Sequence, residues 1–208
     1  MRIIGGSLRG RRLQAPAGSL VRPTSDRVRE SIFNILGPPA PATRVLDAFA
    51  GAGTLGLEAL SRGASEAVFI DRARAAIRCV RANIDALGLV DRARVLCADS
   101  PSLCERWHRR GPSTATPGQQ AHQRFRWLFL DPPYRGDAAE RMLSVLASGQ
   151  LLTDDATVVV EHDRRNQPAD RWGSLVQMDR RRYGDTEVSF YRLCGARQEG
   201  QEHVPSSQ

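Results

Sequence analysis

The chain has 208 residues, 41% hydrophobic and 25% charged, with a mass of 22.9 kDa, which suits one catalytic α/β unit with small appendages because a single core can keep growing past this length. No apolar run approaches the roughly 18 residues of a membrane span, and MRIIGGSLRGRRL lacks the apolar stretch and cleavage site of a secretory signal, so a cytoplasmic protein without membrane contact is expected. A formal charge of +7 and a pI near 10.2 favour a polyanionic partner through counterion release and steered encounter.

Residues Arg2 to Ala15 read as two short extended pieces around Gly5, Gly6 and Gly10, a basic hairpin from which Arg2, Arg9, Arg11 and Arg12 project. After Arg22-Pro23, Thr24 can cap a helix with Asp26 in its first turn and Val28, Ile32, Ile35 and Leu36 on one face. Pro38, Pro39 and Pro41 end it. From Arg44 strands and helices alternate: strand RVLDAFA, a glycine turn, helix TLGLEALSRG, strand EAVFID, helix RARAAIRCVRANIDALG, strand ARVLCAD. A polar stretch from Arg109 to Gln123 marks a surface loop, and the pattern resumes with strand RWLFLDPPY, a helix near Asp137 to Leu146 and strand TVVVEHD. SLVQMDRRRYG and EVSFYRL then form a terminal hairpin around Gly184-Asp185. The expected division is a basic extension over 1–41, a catalytic domain over 42–194 and a disordered tail over 195–208.

Strands joined through helices imply a Rossmann-like α/β fold, a mostly parallel seven-stranded sheet with helices on both faces. Cys79, Cys97, Cys104 and Cys194 form no C-x-x-C pair, and His108, His122, His162 and His203 stand at no ligand-like spacing beside them. Reduced, packed thiols are expected, and no zinc site.

In DAFAGAGTLGLEAL, Asp47 ends a strand, and Gly51, Gly53 and Gly56 let backbone N–H groups approach a ligand. Those three glycines also satisfy the dinucleotide fingerprint, with Asp71 as its ribose carboxylate. Asp47 separates the two cofactors, because a carboxylate beside the helix N-terminus repels a pyrophosphate. S-adenosylmethionine carries no phosphate and presents an ammonium and a sulfonium, for which an acidic group is a favourable partner. Asp71 would then accept from the ribose hydroxyls and Asp99 would lie by the adenine amine. Each is also a residue type common at helix caps and turns, but three at successive strand ends form one rim. Residues expected around the donor are Asp47, Phe49, Ala50, Gly51, Gly53, Asp71, Arg72, Asp99 and Ser100.

Asp131-Pro132-Pro133-Tyr134 ends the fourth predicted catalytic-domain strand. An exocyclic base amine is a poor nucleophile, since its lone pair is conjugated into the ring. Asp131 Oδ and the Pro132 carbonyl can each accept one of its N–H groups, favouring the pyramidal geometry that frees the lone pair. The prolines stiffen the backbone that holds the acceptor, and Tyr134 offers a face on which a flipped base can lie. Such a direct transfer requires no metal. A rigid surface turn is the plain alternative for the same four residues.

These residues resemble the bacterial 16S ribosomal RNA guanine-N2 methyltransferases, within the Rossmann-like class I methyltransferases. The resemblance runs from Arg2 to about Leu193, and its most specific parts are RIIGGSLRGRRL, RPTSDRVRESIFNIL and DAFAGAGTLGLEALSRGA, with DPPY following. It implies methylation of guanine N2 in 16S rRNA, at position 966 of that RNA, on the small subunit or an assembly intermediate; a monomer is expected. It also places Arg22 and Thr24, with Asp26, near the donor or the base entrance. The basic extension offers Arg2, Arg9, Arg11, Arg12 and Arg27 as expected RNA contacts. The long polar loop and the tail depart from the family pattern. Competing readings are an adenine-N6 or cytosine-N4 methyltransferase of DNA or RNA, a nicotinamide-dependent oxidoreductase, and a nucleic-acid-binding protein with a vestigial cofactor site.

Overall fold

The computed structural model describes residues 1–16, 25–110, 124–133 and 136–194. Arg22, Thr24, Tyr134, residues 111–123 of the polar loop and the tail from 195 lie outside the described residues.

The first helix, α1, spans Asp26–Leu36 and is capped by Ser25, whose hydroxyl accepts from the Val28 N–H at 3.3 Å. The cap is thus Ser25 rather than the expected Thr24. Its buried side is Val28, Arg29, Ile32 and Phe33, while Ile35 is 37% exposed. The expected Ile35 contact gives way because the helix rolls its largest side chain inward: Phe33 stacks against Phe129 and Trp127, with centroids 5.7 and 6.1 Å away.

Strands β1 (Arg44–Asp47), β2 (Glu66–Asp71), β3 (Ala93–Cys97), β4 (Phe125–Leu130) and β5 (Leu152–Asp163) run parallel, separated in sequence by helices α2 (Thr54–Ser61), α3 (Arg74–Leu87), α4 (Ser100–Arg110) and α5 (Ala138–Leu146). Strands β6 (Arg171–Trp172), β7 (Leu175–Tyr183) and β8 (Thr186–Leu193) add antiparallel pairs, giving the order β3-β2-β1-β4-β5-β8-β7-β6. The sheet has eight strands rather than seven, because Arg171 and Trp172 pair with Val176 and Leu175 at the edge. Side chains alternate between two cores. Val45, Phe69, Phe129 and Val159 face α1, α2 and α3, whereas Leu46, Ile70, Leu130 and Val160 face α4 and α5.

Helix α4 has no counterpart among the elements expected from the sequence. Its apolar stripe is short, chiefly Leu103, Cys104 and Trp107, and lies among polar residues. The Asp99-Ser100-Pro101 start carried the signal, for Asp99 accepts from the Ser102 N–H at 3.2 Å as a helix cap does. Among the described residues no helix is long and apolar enough to cross a membrane, and no cluster of three or more His, Cys, Asp or Glu side chains is arranged to hold a metal ion. The four cysteines are free thiols.

The N-terminal segment is docked rather than projecting. A single antiparallel bridge joins Arg2 to Arg12, and Ile3 and Leu13 are buried in the core under α1 and α2. Each such burial is worth about 1.5–3 kcal/mol. Fully buried Glu58 accepts from the Ile4 N–H at 2.8 Å and from Arg62 Nε at 2.8 Å. Gly6, at φ +75°, sits so close to Ser61 that a Cβ would overlap its carbonyl.

Candidate active site

The carboxyl ends of β1, β2 and β4 meet at one edge. Asp47 is opposite Phe69 of β2 and Phe129 of β4 in register, and the Ala48 N–H donates to the Phe129 carbonyl at 3.0 Å. The Asp47 side chain is 3% exposed and its Oδ2 accepts from the Gly56 N–H at 3.0 Å, holding the first turn of α2. Gly56 must be glycine there, since a Cβ would run into the Phe69 ring. Asp71 Oδ2 accepts from Gly51 N–H at 2.9 Å, and its Oδ1 from Ala73 N–H at 2.8 Å. Both carboxylates therefore brace the glycine loop that they line, so the cap reading and the rim reading describe the same atoms.

Burial pushes the Asp47 carboxyl up to about 7, opposed by the Gly56 hydrogen bond and reinforced by the charge of Asp71. Asp131 lies just past β4, and although part of the residue reaches the surface, its carboxyl is desolvated. Burial first, then the charges of Glu161 and Asp47, raise its pKa well above the usual carboxylate range. Asp47 and Asp131 stand at the ends of adjacent strands, near enough for the charge of one to act on the other, and among the described residues no cation pairs with either. A site that collects carboxylates and holds them back from ionising fits a cationic ligand.

The other expected donor contacts divide. Gly51 and Gly53 form the turn, with the Gly53 N–H closing onto the Ala50 carbonyl at 2.6 Å. Ala50 is buried and donates to the Ile70 carbonyl at 3.0 Å. Phe49 packs on the α4–α5 side. Arg72 is exposed at the rim. Asp99 is 45% exposed and is held below the usual carboxylate range, chiefly by the Ser102 hydroxyl at 2.6 Å. Ser100 is 3% exposed and its hydroxyl donates to the Ala48 carbonyl, tying α4 to the end of β1. Pro132 is buried and Pro133 exposed at the corner.

Among the expected RNA contacts, Arg9, Arg12 and Arg27 are exposed. Arg2 reaches Asp26 at 3.1 Å, and Arg11 donates to the Ala86 carbonyl of α3 at 2.8 Å. The Arg11 guanidinium is spent on a helix end, because the docked segment brings it to unpaired carbonyls.

Two site residues escaped the sequence reading. Glu161 of β5 is buried and acts electrostatically on Asp131; an acid in phase with Val159 at the end of an apolar strand was its signal. Asn83 of α3 is 1% exposed and joins three backbone groups. Its Oδ1 accepts from Gln14 N–H at 2.8 Å, and its Nδ2 donates to the Gln14 carbonyl at 3.2 Å and the Ala52 carbonyl at 3.0 Å. A polar residue interrupting the apolar face of α3 pointed to it.

With this strand order, and acidic groups suited to a cationic ligand gathered at its carboxyl edge, the chain takes its place among the S-adenosylmethionine-dependent methyltransferases. The family described as Conserved hypothetical protein 95 matches residues 1–192, and the chain belongs to it. The chain is 40% identical over 195 residues to "Putative rRNA methyltransferase YlbH" of Bacillus subtilis (strain 168), covering 94% of this chain and 100% of that protein. It is 37% identical over 166 residues to "Ribosomal RNA small subunit methyltransferase D" of Escherichia coli (strain K12), covering 80% of this chain and 76% of that protein. Among solved structures, "Putative methyltransferase yhhF" from Escherichia coli aligns with a TM-score of 0.75 at 34% identity, covering 93% of this chain and 97% of that one. These findings displace the oxidoreductase reading.

Proposed function

We propose that the chain methylates the exocyclic N2 of a guanine in 16S rRNA of the small ribosomal subunit or its assembly intermediate, acting as a monomer in the cytoplasm. The relatives' names supply the RNA, and the placing of Asp47 and Asp131 at adjacent strand ends, where their charges act on each other, supports the chemistry.

S-adenosylmethionine, when bound, supplies a methyl group activated on a sulfonium. Asp47 meets the positive end of that donor, and the loop braced by Asp71 lets backbone N–H groups lie close to it. Beside a bound cation the ionised forms of Asp47 and Asp131 would gain against the protonated forms that burial favours. Asp131 Oδ and the Pro132 carbonyl then accept the two amine N–H groups, holding the lone pair toward the methyl carbon. After transfer the nitrogen carries a surplus proton. Asp131, whose burial favours its protonated form, is a fitting first acceptor on the way to solvent. Residues 1–41 serve as the RNA-binding extension.

Transfer of labelled methyl groups to undermethylated small subunits and to naked rRNA, followed by mapping of the modified base, tests this. Label on a single guanine N2 is expected. Label on adenine N6 or cytosine N4, or none on either substrate, would overturn the reading.

A further inference from the structure

The outer ridge of α3 carries Arg74, Arg78 and Arg81, at positions i, i+4 and i+7, so all three share one face. All three are exposed, and among the described residues none makes an ion pair or a side-chain hydrogen bond. Like charges at this spacing oppose helix formation. Surface helices ordinarily relieve it with acids one turn away, yet neither Arg74 nor Arg78 has an acid three or four places off inside the helix. Arg81 alone has Asp85, with which it forms no ion pair. The ridge therefore holds three cations with no internal use.

Its position gives the cations a direction. Arg74 stands three residues beyond Asp71, so the stripe begins at the donor rim. At about 1.5 Å per residue the three span about 10 Å of helix axis, about three phosphate-to-phosphate steps at about 3.4 Å each along one duplex strand, so the ridge reaches across about four consecutive phosphates. The far end of α3 meets the docked N-terminal segment, where Arg11 caps Ala86 and Gln14 is strapped to Asn83, with Arg9 and Arg12 exposed beside it. Between that segment and the stripe the helix presents Ala75, Ala82 and Ala86, so no tall side chain of α3 divides them.

We propose that Arg74, Arg78 and Arg81 bind phosphates within one short stretch of the substrate RNA, leading its strand from the donor rim toward the N-terminal segment. The proposal rests on the rRNA reading above, and it assigns to α3 a contact surface beyond the hairpin arginines. The guanidiniums match a backbone without reading its bases, so they position the RNA rather than select the target.

The test compares the full chain with R74A/R78A/R81A, with R9A/R12A, and with R164A/R165A/R192A. The last removes the same charge from exposed positions elsewhere. Affinity for undermethylated small subunits is measured from low to high salt, with S-adenosylhomocysteine binding as the check on fold. The stripe variant is expected to bind S-adenosylhomocysteine as the parent does. It should lose at least tenfold in RNA affinity at low salt, and the slope of log affinity against log salt should shrink by about 2, since each phosphate contact contributes about 0.7–0.9. Parent-like affinity and slope in the stripe variant, with a loss in R9A/R12A, would overturn the stripe while leaving the rRNA reading intact. An equal loss in R164A/R165A/R192A would reduce the effect to net charge and overturn it too. Failure of the parent itself to bind or methylate the subunit would sink the underlying reading instead.

Discussion

Replacing Asp47 by Asn separates the cost of a buried carboxylate from its use. Burial moves this group from 3.8 to about 7. Between those values the unfolded chain is ionised while the folded chain keeps its proton, so stability falls as pH rises through the window and stays lower above it. About three units at about 1.36 kcal/mol each amount to about 4 kcal/mol lost by pH 8. Asparagine has no charge to desolvate and keeps an oxygen for the Gly56 N–H. The ligand-free variant is therefore expected to exceed the parent by up to about 4 kcal/mol at pH 8 and to match it near pH 4. Urea melts with unchanged slope report the difference. Calorimetric titration with S-adenosylhomocysteine should show the opposite trend, because its ammonium loses a charged partner. Parent affinity should weaken by about tenfold per pH unit below about 7, and the variant should lack that dependence. A variant no more stable at pH 8, or one that binds the ligand as the parent does, would refute the reasoning.

Asp131→Ala should bind S-adenosylhomocysteine within a few-fold of the parent and lose about 10²–10³ in single-turnover rate, because it removes an acceptor for the reacting amine; parent-like turnover would take Asp131 out of the mechanism. Gly56→Ala should cost about 1–3 kcal/mol in urea melts, since the added methyl meets the Phe69 ring, and should weaken S-adenosylhomocysteine binding as the turn shifts. Asn83→Ala leaves the backbone groups of Gln14 and the Ala52 carbonyl without their partner and should cost about 1–3 kcal/mol. Hydrogen exchange should then quicken in both segments; loosening confined to residues 1–16 would show that the strap does not reach the glycine loop.

Much of this molecule is written in neighbouring residues. Short apolar runs bounded by turn residues placed β1 to β5 and the β7–β8 hairpin, and glycines flanked by acids located the donor loop, because such patterns and turn chemistry act over a few positions. The helix at Ser100–Arg110 was missed because its stripe is short. Ile35 was misplaced because helical spacing gives a face but not the roll that Phe33 imposes on it.

The order of residues thus determines which segments pair and which side chains carry chemistry. Folding alone decides what those side chains meet. Glu161 stands 30 positions from Asp131 and acts on it only because β4 and β5 lie side by side. Arg11 finds Ala86, and Gln14 finds Asn83, across separations of 75 and 69 residues. Burial sets the carboxyl chemistry of the rim, and burial is a property of the packed sheet: an aspartate in a strand-end motif has an ordinary pKa until helices and neighbouring acids exclude its water.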